Sequence, residues 1–466
     1  MADEAVTLRD INWREAFPFT HLFRAFRVAV HPSKLVIALV ALGCLWCGGL
    51  ILDVVWRSQV TPDDRAQLWG IEAAPYSNDR VGMPPEYYRA LARSPVMESD
   101  PGVFHTFFHY EVAQANHVLT FLGGTLAPFE STWNFIAHGP LWLWRTHWLF
   151  AILYTAWFLL IWSVLGGAIA RIAAVHVARD EKISVRHALT FSAGKVLSFI
   201  FAPVIPVLIV LGIGVIIALA SAILFHIPWV GPIVAGIFFF LALIGGFVIT
   251  LVILGTLGGF NLMYPTVAVE GSDSFDAISR SFSYVFARPW RMLWYTIVAV
   301  VYGAICYLFV RFFVWLILAA TWFFMSWFLG GTHLPPDDKS PADVFPRIWP
   351  QPQDPLERLS YSPQYDMLKG TEATAAGLIV WWNYLLIGLV GAFVISFYFS
   401  ANTIIYYLMR REVDATDLDD VYVEETEDEP GDGEPPSAAI EASVTTTVVT
   451  TADPAPQPPP PEPNMP

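Results

Sequence analysis

Charge is what this chain has least of. Only 14% of its 466 residues are Asp, Glu, Lys or Arg, while 55% are hydrophobic; an ordinary soluble domain is about a quarter charged. The deficit excludes a conventional water-soluble fold over most of the length and points to a bilayer. Basic residues are fewer still, 26 against 41 acidic ones for a net charge of -15, which gives no footing for nucleic-acid binding. Cysteine is almost missing. Cys44, Cys47 and Cys306 all fall in apolar runs, so no disulfide framework staples the loops. The pair in GCLWCGG has the CxxC spacing of a redox or zinc motif, but at mid-membrane and beside Gly43 and Gly48 it reads as small residues on a helix-packing face. No catalytic motif stands out and no cofactor is implied. Nor is a cleavable signal evident: the first apolar run is followed by DVVWRSQV rather than an A-x-A site, so it is expected to stay as an uncleaved anchor.

What the chain does have is long apolar runs. A transmembrane helix needs about 20 mostly apolar residues, and six stretches qualify: 34–55, 147–170, 196–225, 229–258, 292 to about 313, and 377–408. Lys and Arg near span ends set orientation, cytoplasmic side enriched. Arg9, Arg14, Arg24, Arg27 and Lys34 precede span one; Arg171, Arg179, Lys182, Arg186 and Lys195 lie between spans two and three; Arg280, Arg288 and Arg291 lie between four and five; Arg410 and Arg411 close span six. Six spans put all four clusters on one side, with both termini in the cytoplasm and loops 56–146 and 330–376 outside. The apolar wall 292–329 would be about 57 Å long as one helix, nearly twice a hydrocarbon core of about 30 Å. A seventh span there would carry Arg410 and Arg411 outside. One span ending near Arg311 is therefore expected, with 312–329 a protruding or interfacial aromatic segment.

Before span five, Phe275, Ile278, Phe282, Val285 and Phe286 recur at helical intervals, while Asp273, Asp276, Ser279, Arg280 and Ser283 take the other face. This is an amphipathic helix suited to the bilayer surface, N-capped at Ser272 or Asp273 and ended by Arg288, Pro289 and Arg291. The design occurs twice more. Leu22, Phe23, Phe26, Ala29 and Val30 form a stripe before span one, with Arg24 and Arg27 off it and Lys34 closing it. Val185, Ala188 and Leu189 form one before span three that ends at Lys195. The fold class expected is all-α: a polytopic integral membrane protein with six transmembrane helices arranged as three units, each a surface helix, a basic turn and a hairpin of spans. Arg24, Arg27, Lys34, Lys195, Phe282, Arg288 and Arg291 are the expected membrane anchors. In domain terms, 1–34 is a cytoplasmic amphipathic segment, 35–409 the membrane domain and 410–466 a tail.

At PTVAVEGSDSFDAISRSF, followed by ARPWR, the sequence resembles the polytopic membrane domain attached to some bacterial glycerophosphodiester phosphodiesterases, and its stand-alone bacterial relatives. In that group a Pro, a Glu, and an Ala then a Ser recur in the surface helix before a span, here Pro265, Glu270, Ala277 and Ser281. The similarity covers about 196–309 and implies a fold type and an inner-membrane home. The phosphodiesterase activity belongs to a separate soluble barrel in those proteins, so no catalytic residue is carried over.

Candidate chemistry is sparse. In FHTFFHYEVAQANH, His105 and His109 are one helical turn apart and His117 lies about 120° round from His105, so two metal ligands could converge and the third only with distortion; Glu111 points elsewhere. Aromatic-rich helices lying on a membrane also carry histidine at their edges. Intramembrane ionisable residues, the usual mark of an ion pathway, are nearly absent: Asp53 and Arg311 sit at expected outer ends, where snorkelling satisfies them. Pro203 and Pro206 can kink span three, and Gly245, Gly246, Gly255 and Gly259 suit close helix packing. From Arg410 onward two basic residues face fifteen acidic ones, so the tail holds -13 of the net charge. With its PQPPPPEP run it is expected to be disordered, a solvating tail or, through Asp417 to Tyr422 or the prolines, a docking segment for a protein partner. The function expected is a non-catalytic scaffold or partner protein of the bacterial inner membrane. The alternative is a transporter or lipid-handling permease, and a third reading, an outward metalloenzyme, rests on the histidines alone.

The topology is directly testable. Cysteine placed at Ser94 or Ser340 should react with an impermeant maleimide in intact cells, and cysteine at Ser437 should not; labelling at Ser437 sinks the six-span arrangement.

Overall fold

The structure, a computed structural model, describes residues 17–56, 60, 64, 68–69, 102–120, 127–327, 341–352 and 363–422. A 3-10 turn, Pro18–Arg24, leads into α1, Ala25–Ala29, and then α2, Pro32–Trp56. α3, Val103–Thr120, α4, Ala127–Trp133, and α5, Gly139–Thr146, belong to the first long loop. α6, Trp148–Ile161, passes through a π turn at Trp162–Gly166 into α7, Gly167–Arg179. Next come α8, Val185–Gly194; α9, Val196–His226; α10, Val230–Ile237; and α11, Phe239–Glu270. The last group is α12, Ser274–Ala287; α13, Pro289–Trp327; α14, Pro341–Ile348; and α15, Thr371–Asp414. The six long elements, α2, α6 with α7, α9, α11, α13 and α15, are each long and apolar enough to cross a membrane. The chain is an all-α, multi-pass membrane protein, and a short helix precedes α2, α9 and α13 as the three-unit pattern requires.

Four boundaries depart from the sequence reading. Span two, placed at 147–170, continues through α7 to Arg179. Span four was placed at 229–258; the chain instead makes the separate α10 and begins α11 at Phe239, carrying it to Glu270 with Pro265 inside. Pro228 ends α9, and at Gly231 any Cβ would lie 1.8 Å from the Leu224 carbonyl oxygen, so only glycine lets the chain turn that closely. Span five does not stop near Arg311, because α13 continues unbroken to Trp327, about 58 Å at 1.5 Å per residue. Nor does α15 end at Leu408; it runs to Asp414, and residues through Tyr422 belong to the same compact unit. The tail therefore starts at Val423, and 423–466 lie outside the described residues, as do Ser94 and Ser340.

Packing divides the long helices into two kinds. The most apolar stretch of α9 has no buried residue, and that of α11 only 6%, so this hairpin presents itself to lipid. By contrast Ser396, Phe397 and every residue from Phe399 to Arg410 of α15 are buried, surrounded by α1, α2, α7, α11 and α13. Lipid chains are as apolar as leucine and provide little drive for helix association, so small residues and interhelical hydrogen bonds must hold the bundle. Here Ser396 Oγ donates to the Ala29 carbonyl at 2.7 Å, Lys34 Nζ to Ser400 Oγ at 3.2 Å, and Tyr407 Oη to the Ala174 carbonyl at 3.1 Å. The GCLWCGG segment serves the same purpose. Trp157 Nε1 donates to the Cys44 carbonyl at 3.1 Å with its ring over Gly48, and Phe104 covers Gly49.

The three short helices lie against this bundle. Asp273 caps α12 by accepting the Asp276 N–H at 2.9 Å, and Ser184 caps α8 through His187 N–H at 3.2 Å. α12 folds back along α11. Ala277, Ser281 and Tyr284 are buried, Phe282 seats on Gly255, Val285 on Gly258 and Ser281 on Gly259. The stripe at Ile278, Phe282 and Val285 thus packs on protein, while Phe275 and Phe286 point outward. Of the glycines, Gly245 meets Ile217 across the α9–α11 hairpin, whereas Gly255 and Gly259 receive α12.

A leucine at position 255 would overlap the Phe282 ring, whose nearest atom lies 2.8 Å from an added Cβ. Overpacking of this kind costs about 1–3 kcal/mol. Gly255→Leu should lower the thermal midpoint of the purified protein, and Phe282→Ala in the same chain should restore part of the loss. An unchanged midpoint in Gly255→Leu would contradict this packing.

Candidate functional site

Two clusters of polar side chains sit at opposite ends of the spans. At the end bearing the long loops, Asp53 near the close of α2 accepts the N–H groups of Phe104 and His105 at 2.8 and 3.1 Å. It thereby caps α3, whose first turn has no acidic residue of its own. Gly102 makes room, since a Cβ there would meet the Asp53 carboxylate at 2.2 Å. Asp53 is thus held by backbone donors rather than by snorkelling. Arg311 does not snorkel either: it is buried on α13, and its Nη1 donates to Tyr307 Oη, one turn earlier on the same helix, at 2.9 Å.

His105 and His109 come together as their spacing predicts, with Nε2 atoms 3.2 Å apart. That separation suits one hydrogen bond between two neutral rings, one donating and one accepting, and equally two ligands on a tetrahedral metal. The side chain of His117 lies outside the described residues. Among the described residues no group of three His, Cys, Asp or Glu side chains is placed to hold a metal ion. Burial lowers the pKa of His105, opposed by Asp53, and burial likewise lowers that of His147.

Glu111, one position past Tyr110 on α3, turns away from the imidazoles as expected and lies against Gly139 of α5, with Oε1 sealed from solvent and without a hydrogen-bond partner among the described residues. Desolvation there pushes its pKa up to about 8. At neutral pH it is a mostly protonated acid on a loop helix, a group that sequence spacing gave no means of detecting.

At the opposite end lies a denser network. Glu270, the last residue of α11, accepts from Tyr406 Oη at 2.9 Å and is in ionic contact with Arg410 Nε at 2.9 Å and Arg280 Nη1 at 3.6 Å. Arg410 also reaches Asp420, with Nη2 on Oδ2 and Nη1 on the carbonyl, both at 2.7 Å. Arg171, 2% exposed, donates to the carbonyls of Ala268 at 2.8 Å and Tyr422 at 2.7 Å and stacks on Phe191 at 4.3 Å. The Tyr422 N–H donates to the Val269 carbonyl at 2.9 Å. Gly271 completes the joint: it is left-handed, φ +65°, and a Cβ would lie 2.7 Å from the Tyr422 ring. Nearby, Tyr284 Oη donates to Asp414 and Tyr295 Oη to Glu412, whose carboxylate also takes Arg291 Nη1 at 2.7 Å. Desolvation followed by the bond to Asp414 raises the Tyr284 pKa. The segment Asp417 to Tyr422 therefore docks on the chain itself.

The expected anchors have varied fates. Arg27 pairs with Asp180 at 3.1 Å, both well exposed, and Arg291 with Glu412. Arg288 is the exposed C-cap of α12, and Lys195 the C-cap of α8 at its joint with α9. Arg24 lines a cavity. Lys34 does not reach the head groups at all, because it is 0% exposed and bonded to Ser400. Phe282 is seated on Gly255. Comparison with protein families, with characterised proteins and with solved structures finds no match for the chain.

The shift at Glu111 has a definite sign. Its folded pKa stands above the ordinary value of 4.5, so between there and about pH 8 the folded state holds a proton that the unfolded state has lost, and stability falls as pH rises through that window. Wild type minus Glu111→Gln should show this slope in thermal midpoints from pH 5 to pH 9; subtraction removes the opposing histidine contributions. A difference independent of pH would show that Glu111 is not a buried neutral acid.

Proposed function

We propose that the protein is a non-catalytic scaffold of the bacterial inner membrane, with both termini in the cytoplasm, that presents the acidic, proline-rich segment 423–466 to a protein partner. The observation that carries this reading is the clamp on residues 420–422 by Arg171 and Arg410. Burying an arginine costs several kcal/mol unless it is paired and hydrogen-bonded, and both of these are spent on holding the chain just where the sequence turns acidic. An ordered root gives the segment that follows it a defined point of departure. The polar groups of the clamp are engaged with one another, which suits a joint better than a reaction centre. Arg27, Arg171, Arg280, Arg291 and Arg410 gather at this same end, and the positive-inside rule assigns it to the cytoplasm. The resemblance around Pro265, Glu270, Ala277 and Ser281 agrees with a membrane part whose working partner is separate. A lipid-handling role is the second reading, favoured by the cavity beside Arg24 and Arg411.

A photo-reactive amino acid at Val423 or Pro430 should capture a discrete protein adduct in cells. The adduct should disappear when Glu424, Glu425, Glu427, Asp428 and Glu429 are changed to Gln or Asn. Absence of any adduct, or one indifferent to those changes, would contradict the scaffold reading.

A further inference from the structure

The cavity at the basic end has a volume of about 420 Å³, within the range of small-molecule sites, about 300–1,000 Å³. Its walls are unlike. Arg24 from the 3-10 turn and Arg411 from α15 provide cationic groups, with His21 also in the lining; Asp417 and Asp419, on the docked segment, provide anionic ones; Val177, Ala178 and Leu418 contribute apolar surface. Neighbouring arginines are engaged, Arg27 with Asp180, Arg291 with Glu412 and Arg410 with Glu270. Among the described residues, however, neither Arg24 nor Arg411 forms an ion pair or side-chain hydrogen bond, and neither do Asp417 and Asp419, although all four line one space.

Opposite charges that line one cavity without pairing define what could bridge them. A simple anion would satisfy the arginines and face the aspartates; a simple cation would do the reverse. A molecule that carries phosphate and amine a few bonds apart answers both sets of charges, and the apolar part of the lining accommodates its carbon link. The cavity also lies at a particular depth. Arg24 precedes α2, Val177 and Ala178 of its lining are in the last turn of α7, and Arg411 follows the apolar run of α15. Those are the ends of three spans, the level at which phospholipid headgroups lie.

We propose that this cavity is a binding site for a phosphate–amine zwitterion of the phosphoethanolamine type, with Arg24 and Arg411 holding the phosphate and Asp417 and Asp419 the ammonium. The same chemistry is offered by the headgroup of phosphatidylethanolamine and by free phosphoethanolamine. The site goes beyond the scaffold reading and stands without it, since no residue after Asp419 takes part.

The full-length protein in nanodiscs of equal phosphatidylethanolamine and phosphatidylglycerol, analysed by native mass spectrometry, tests the assignment. Wild type should retain phosphatidylethanolamine over phosphatidylglycerol by about tenfold, as expected for the sum of two partly exposed charge contacts. Asp417→Asn with Asp419→Asn should abolish that preference, and Arg24→Gln with Arg411→Gln should lower retention of both lipids. A thermal-shift titration of delipidated protein with phosphoethanolamine, against phosphate and ethanolamine separately, distinguishes the source. Stabilisation by phosphoethanolamine alone of the three assigns a soluble ligand, and selective lipid retention without it assigns the bilayer lipid. Equal retention of the two lipids by wild type together with no phosphoethanolamine shift overturns the proposal, whatever the variants do.

Discussion

At the end of α11 one carboxylate takes contacts from three directions: Tyr406 and Arg410 of α15 and Arg280 of α12 all converge on Glu270. Each of these helices is long-range in sequence from at least one other, so the contact fixes their relative register. A buried ion pair contributes little net stability, because desolvation offsets most of the attraction. Removing one partner is another matter and costs about 3–5 kcal/mol, since the remaining charge is stranded. Glu270 therefore acts chiefly as a specifier of arrangement. With α11, α12 and α15 set by it, Arg410 is aimed at Asp420, Arg171 at Tyr422, and the docked segment follows.

Polar contacts can have this authority because the rest of the molecule gives helices little reason to choose neighbours. The most apolar stretches of α9 and α11 have almost no buried residue and meet lipid on nearly all sides. The half of α15 that is enclosed by protein reads Ser396, Ser400, Asn402, Thr403, Tyr406 and Tyr407 among its apolar residues, and several of these bond to other helices. Apolar composition places segments in the membrane; interspersed hydroxyls, small residues and a few ionised groups decide how they assemble. The same logic holds at the loop end, where Asp53 caps α3 and ties the first loop to α2.

The six spans and three preceding helices were legible in sequence because run length and helical spacing are local signals. So was the meeting of His105 with His109, one turn apart. What escaped was non-local. Arg171 read as one more positive-inside residue, and nothing near it announces Ala268 or Tyr422 as partners. Glu270 stood out only through a resemblance, not through its contacts. Phe282 was assigned to a bilayer-facing stripe because an amphipathic pattern does not say whether protein or lipid covers it; the glycines Gly255, Gly258 and Gly259 on α11, read together with that stripe, were the available signal. Lys34 was taken for an anchor by its position at a span end, although Ser400 lies 366 residues further along the chain. Arg410 was assigned to the tail because the apolar run ends before it, yet Glu270 and Asp420 keep the chain helical and docked.

The central claim is that Glu270 and Arg410 act as one unit. A double-mutant cycle with Glu270→Gln, Arg410→Gln and the two combined, read as unfolding free energy of the purified protein, measures this directly. Coupling requires each single change to cost about 3 kcal/mol or more and the combination to cost clearly less than the sum. Strictly additive losses would show that the two residues do not depend on each other, and the clamp built on them would not be the joint described.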